Sequence, residues 1–165
     1  TFNYTSVLER IYHVPCNHIL HIHGGLSPYC DERPVLGHGN VEKIEKYRAK
    51  AESAAEEYDE GGESIYNAIA NYYERTRKNT SRCMAFKYNF FRQLTGVDHV
   101  EVIGHSFGEV DIPYFTYLKY CVSENANWIF YYHSSEDYDA AKKAVKELEL
   151  DIRNYELLHS DCFWK

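Results

Sequence analysis

The sequence predicts an α/β fold, a three-layer Rossmann-like parallel sheet with a helical insertion. Short apolar runs at residues 19–23, 99–103 and 128–132 are each followed by a helical pattern, the alternation a parallel sheet requires. Polar clusters sit at the carboxyl ends of expected strands, where helix N-termini and turn amides converge on ligands. Residues from about 40 to 95 break the alternation, being helical throughout, and read as the insertion.

The 165 residues fit one α/β domain over 1–165, with 44% hydrophobic and 26% charged residues. Disorder and a disulfide miniprotein are excluded by that balance. A formal net charge of −7 argues against nucleic-acid binding, which needs a basic footprint. No stretch approaches the roughly 20 apolar residues of a membrane-spanning helix, so no membrane is expected. Five scattered cysteines form no CxxC pair or zinc cluster, so reduced thiols, a cytoplasmic location and no metal are expected. The chain opens Thr1-Phe2-Asn3-Tyr4-Thr5, and its single methionine lies elsewhere, so it reads as a fragment of a longer protein.

Ser6-Val7-Leu8-Glu9 has the spacing of a capping box, with Val7, Leu8, Ile11 and Tyr12 forming the stripe of a first helix. Residues 19–23 form a short strand stopped by Gly24-Gly25, and a loop punctuated by Pro28, Pro34, Gly37 and Gly39 follows. Intermixed charges from about Val41 to Tyr58 mark a solvated helix broken at Gly61-Gly62. A helical pattern from Ile65 to Leu94 has a polar middle, compatible with one helix or with two joined near Lys78–Ser81, and Gly96 ends it. After the strand His99–Ile103, a helix starts near Asp111 with Tyr114, Phe115, Leu118 and Cys121 on one face. Trp128–Tyr132 is apolar enough for a central strand. Ser134 or Ser135 caps the next helix, and Glu156–His159 is a last short strand.

Asn3-Tyr4-Thr5, His23-Gly24-Gly25 and Gly104-His105-Ser106 fall at strand ends. His23 has the chemistry of a general base, although a histidine in that place also closes a strand with a backbone bond. Asn3 can orient a ribose or a water, or simply form a turn. His21 faces the same way as His23 on a strand, but a metal pair lacks a third ligand. Gly104-His105-Ser106-Phe107-Gly108 matches the nucleophile elbow G-x-S-x-G, with Asp137 or Asp139 and His159 following in hydrolase order. The elbow needs a helix beginning at the serine. Pro113 inside such a helix would cost about 3 kcal/mol, whereas it suits the first turn of a helix capped by Asp111. Ser106 then belongs to a loop able to hold a ribose or phosphate. His105 is equally read as a loop side chain, His38 as plain loop, and the many tyrosines as amphipathic core and rim.

The ordered set Phe2-Asn3-Tyr4-Thr5, His21-Ile22-His23-Gly24, Phe86-Lys87, then Val102-Ile103-Gly104-His105-Ser106 with Asp111 and Tyr114-Phe115 resembles the AbiH family. These are bacterial proteins associated with abortive infection, a defence against bacteriophage. AbiH proteins are in turn similar to sirtuin-like NAD-binding domains. That resemblance implies an N-terminally truncated sirtuin-like domain that binds, and in the parent protein hydrolyses, NAD or a related nucleotide. It places the catalytic roles on His23 as base and Asn3 as orienter. Thr5, Gly24, Gly104, His105, Ser106 and Asp111 would line the nucleotide. Thr5 stands where sirtuin-type proteins usually carry an acid, and the glycine-rich phosphate loop that should come before Asn3 is absent. A phage-derived trigger protein and a second copy of the chain are the macromolecular partners implied. The alternatives are a serine hydrolase using Ser106 and a non-enzymatic sensor or scaffold.

Overall fold

A computed structural model describes residues 1–26, 34–39 and 41–163. The expected turn at Pro28 and the thiol of Cys30 lie outside the described residues. The architecture is mixed α/β, with one three-stranded parallel sheet and seven α-helices among the described residues. The chain divides into two compact units, Thr1–Asn79 and Thr80–Lys165.

The first unit begins with a one-turn helix, α1 (Val7–Arg10). Ser6 occupies its N-cap position, yet its side chain makes no capping bond. The expected capping box therefore does not form, because Glu9 turns to His21 instead. Residues 19–23 also depart from expectation. They are no strand of the sheet; the segment is extended at Ile19–Leu20 and closes into a turn by a bond from Gly24 N–H to the His21 carbonyl. The segment does pair with Thr1, whose N–H donates to the Leu20 carbonyl while its own carbonyl accepts from Ile22 N–H. That reciprocal pattern is one rung of a parallel ladder.

An antiparallel hairpin of α2 (Val41–Glu56) and α3 (Glu60–Arg75) fills the rest of this unit. Gly61-Gly62 does not break a helix as expected but lies in the first turn of α3, because Asp59 caps that turn by accepting from Gly62 N–H at 2.9 Å. A Cβ at position 62 would collide with the capping carboxylate. Few large apolar side chains meet between the helices. Ala51, Ala54 and Ala70 are buried, and Tyr47 stacks on Tyr66 and on Tyr73 with ring centroids 6.3 and 6.1 Å apart. From α2, Arg48 forks to Asn67, Asn71 and Glu74.

The second unit opens with α4 (Thr80–Phe86) and α5 (Tyr88–Arg92), so the helical pattern expected over 65–94 resolves into three helices. Then come β1 (His99–Ile103), α6 (Ile112–Cys121), β2 (Asn127–Tyr132), α7 (Ser135–Glu147) and β3 (Tyr155–His159). The strand order is β1-β2-β3, all parallel, with β2 central as its apolar run predicts. Val102, Phe130 and Leu157 lie side by side in register across the sheet. Phe130 is fully buried, with Trp128, Tyr114 and Phe115 nearly so. The Ser134–Asp137 capping box begins α7, and Lys119 of α6 donates to the carbonyls of Leu148 and Glu149 just past its end.

Candidate functional site

A cleft of about 380 Å³ opens at the carboxyl ends of all three strands, the general ligand position in open parallel sheets. Gly104, His105 and Ser106 line it from β1. Gly104 takes a positive φ of 63°, and Phe107 takes φ 52°, a left-handed conformation costly for a bulky side chain. Packing holds Phe107 there: its ring meets Phe115 and Phe130 at 5.4 and 5.7 Å. His105 closes the turn, its Nδ1 accepting from Phe107 N–H at 2.8 Å. That bond puts the ring proton on Nε2, which faces the Asp111 carboxylate at 3.6 Å. Asp111 thus braces His105 and makes no side-chain cap on α6, contrary to its expected role.

The other walls come from residues the sequence reading did not assign to a nucleotide. His133 Nδ1 meets the Ser160 hydroxyl at 3.1 Å, and Tyr131, Phe163 and Asp137 complete the rim. Asp137 accepts from Ser134 N–H, and its carboxyl is held below the ordinary range by those bonds to Ser134. The described lining holds no lysine or arginine. Of these, the sequence singles out Asp137 only as a candidate hydrolase acid, and the strand-end rule alone could have pointed to the others.

The hydrolase arrangement is not formed. Five residues lie between Ser106 and Ile112, where α6 starts, so no helix springs from the serine. His159 is engaged elsewhere, with Nε2 donating to the His133 carbonyl and Nδ1 meeting Asp161 N–H.

Asn3 and His23 belong to the first unit. Asn3 and Thr5 are exposed, and the Asn3 carbonyl accepts from His21 Nδ1 at 2.9 Å. The other nitrogen of His21 meets Glu9 Oε1 at 2.7 Å, with both side chains only 8% exposed. The bond to His21 holds the Glu9 carboxyl below the ordinary range, and its second oxygen is buried without a hydrogen-bond partner. His23 is 3% exposed, with the rings of Phe2 and Tyr4 against it at 5.6 and 6.3 Å. Its carbonyl accepts from Val35 N–H, and Tyr4 O–H donates to the Val35 carbonyl. Gly24, at φ 72°, makes the tight turn after it. No group of three or more metal-ligating side chains gathers among the described residues.

A family model described as "Bacteriophage abortive infection AbiH" matches residues 1–132. The chain belongs to the AbiH family. The matched region contains Asn3, Glu9, His21 and His23 as well as the Gly104–Ser106 turn, and it ends with the last residue of β2. In this AbiH chain the His133–Ser160 contact and Asp137 thus lie beyond the matched residues. Searches of curated proteins and of solved structures returned no significant match. No described helix is long and apolar enough to cross a membrane.

Proposed function

We propose that this AbiH chain serves in defence against bacteriophage through a sirtuin-like domain that takes NAD or a related nucleotide at the carboxyl edge of its parallel sheet. The observation that carries the reading is the cleft itself, which gathers the Gly104–Ser106 turn with the ends of β2 and β3. Its chemistry suits the nucleoside part of such a ligand. Tyr131 and Phe163 offer aromatic surface, and Ser106, Ser160 and Asp137 offer hydroxyls and an acceptor for ribose hydroxyls. Phosphates would depend on backbone N–H groups of the 104–108 turn, because the described lining supplies no cation.

The reaction assigned to this reading is hydrolysis of the nicotinamide–ribose bond. It needs a group to take a proton from the attacking water and another to orient that water. The family resemblance assigns those roles to His23 and Asn3, whose side chains have the chemistry for them. Burial of His23 between two aromatic rings means that Phe2 or Tyr4 must yield before a reactant reaches it.

The test is to incubate the protein with NAD and measure nicotinamide release for the wild type and His23→Ala. Release that falls at least about a hundredfold in the variant supports the assignment. Absence of release from the wild type, or equal release from both, removes the catalytic step. Calorimetric titration of NAD into Ser106→Ala then asks whether the cleft binds a nucleotide independently of turnover.

A further inference from the structure

The Glu9–His21 pair is buried, each side chain only 8% exposed, and its proton count follows from its geometry. His21 Nδ1 lies 2.9 Å from a carbonyl oxygen, which can only accept, so Nδ1 carries a proton. His21 Nε2 lies 2.7 Å from a carboxylate oxygen, which also accepts when ionised. Both ring nitrogens therefore point at acceptors, and the pair needs one proton more than a neutral imidazole beside a carboxylate would have.

This arrangement is a poor choice for stability alone. Buried ion pairs roughly break even against well-packed apolar residues. A carboxylate oxygen buried without a partner adds a desolvation cost, and among the described residues Glu9 Oε2 is such an atom. Glu9 also forgoes the capping bond that its spacing from Ser6 offers. What the pair does secure is position. His21 holds the Asn3 carbonyl directly, and the Gly24 N–H bond to the His21 carbonyl closes the turn that presents His23.

We propose that Glu9 and His21 are positioning residues: the Glu9 carboxylate keeps His21 protonated on both nitrogens, and His21 fixes the backbone at Asn3 and the turn at His23. Asn3 and His23 are the residues assigned to NAD cleavage above, so the effect on activity rests on that reading. The geometry and the proton count do not.

Two measurements separate these parts. Nitrogen NMR of the full chain labelled in histidine reads the ring protonation of each histidine, assigned with His21→Gln. At about pH 7.5, where an ordinary histidine is mostly neutral, the wild-type His21 ring is expected to carry both protons. In Glu9→Gln it is expected to carry one, on Nδ1, and its bond to the Asn3 carbonyl, no longer charge-assisted, is expected to weaken. A wild-type His21 with a single ring proton overturns the proposal whether or not the protein acts on NAD. If Glu9→Gln does not fold, the wild-type spectrum alone decides. Where the wild type releases nicotinamide, Glu9→Gln should lower kcat on the order of tenfold to a hundredfold with little change in KM, and Glu9→Asp should recover part of it. An unchanged kcat in Glu9→Gln removes the positioning role, whereas absent release from the wild type counts against the NAD reading only.

Discussion

The two units solve the burial problem in different ways. In the second, a parallel sheet and its helices enclose Trp128, Phe130, Tyr114 and Phe115, all apolar bodies packed close to completely. In the first, the α2–α3 hairpin meets through small alanines, stacked tyrosines and an arginine fork, and its interior admits charge and imidazole. The buried polar residues among those described are His21, His23 and Lys78, all in the first unit. A scaffold can rest on apolar area, which is non-directional and tolerant. A region that must hold particular groups in particular places rests on directional bonds, and its tolerance for change is correspondingly smaller.

Substitutions should expose this contrast, beginning with the largest effect. Phe130→Ala, at the centre of the sheet, should destabilise the protein by about 3–5 kcal/mol, read from a denaturant midpoint at unchanged slope. A loss under about 1 kcal/mol would mean that the sheet is not the apolar scaffold described. Next is Ser134→Ala, which opens the capping box of α7 and should cost about 0.5–2 kcal/mol. The same variant sharpens a pH effect. Asp137 titrates below its ordinary value because of its bonds to Ser134, so the stability it contributes is whole above the ordinary carboxylate range. That stability is lost as pH falls through the native value. Unfolding midpoints compared at neutral pH and at about pH 3 should therefore drop less in Ser134→Ala than in the wild type. The smallest effect expected is in the hairpin: Tyr47→Leu keeps much of the apolar area but removes two ring stacks, worth about 0.5–1.5 kcal/mol. A cost as large as that of Phe130→Ala would erase the distinction between the units.

The same contrast decides how much was legible in the sequence. β1, β2, α7 and β3 fall within a residue of where the pattern places them, because an apolar strand or an amphipathic helix carries its own period. The start of α6 could be read from Pro113, whose ring fits only a first helical turn. In the first unit the local signals mislead. Glu9 is at capping distance from Ser6, yet its partner is His21, twelve residues on, and no local rule weighs that competition. Residues 19–23 have the composition of a strand but exchange longer-range backbone bonds only with Thr1 and Val35 among the described contacts, and they end in a turn. Of the candidate site, the Gly104–Ser106 turn was legible because glycine and serine after a strand have a meaning. His133 and Ser160 were not, and Asp137 reads there only as a candidate hydrolase acid, since only the sheet brings the three to one cleft.

The packing of Trp128 against Phe130 has an optical consequence. The chain has two tryptophans, Trp128 and Trp164, and neither falls within residues 1–79 of the sequence. Emission excited at the red edge of the aromatic band therefore does not come from the first unit. The near-parallel rings of Tyr47 and Tyr73, only 9° apart in plane, are positioned to give the first unit an ultraviolet dichroism of its own. Without any label, one melting experiment followed at two wavelengths would tell whether the sheet and the hairpin come apart together or in turn.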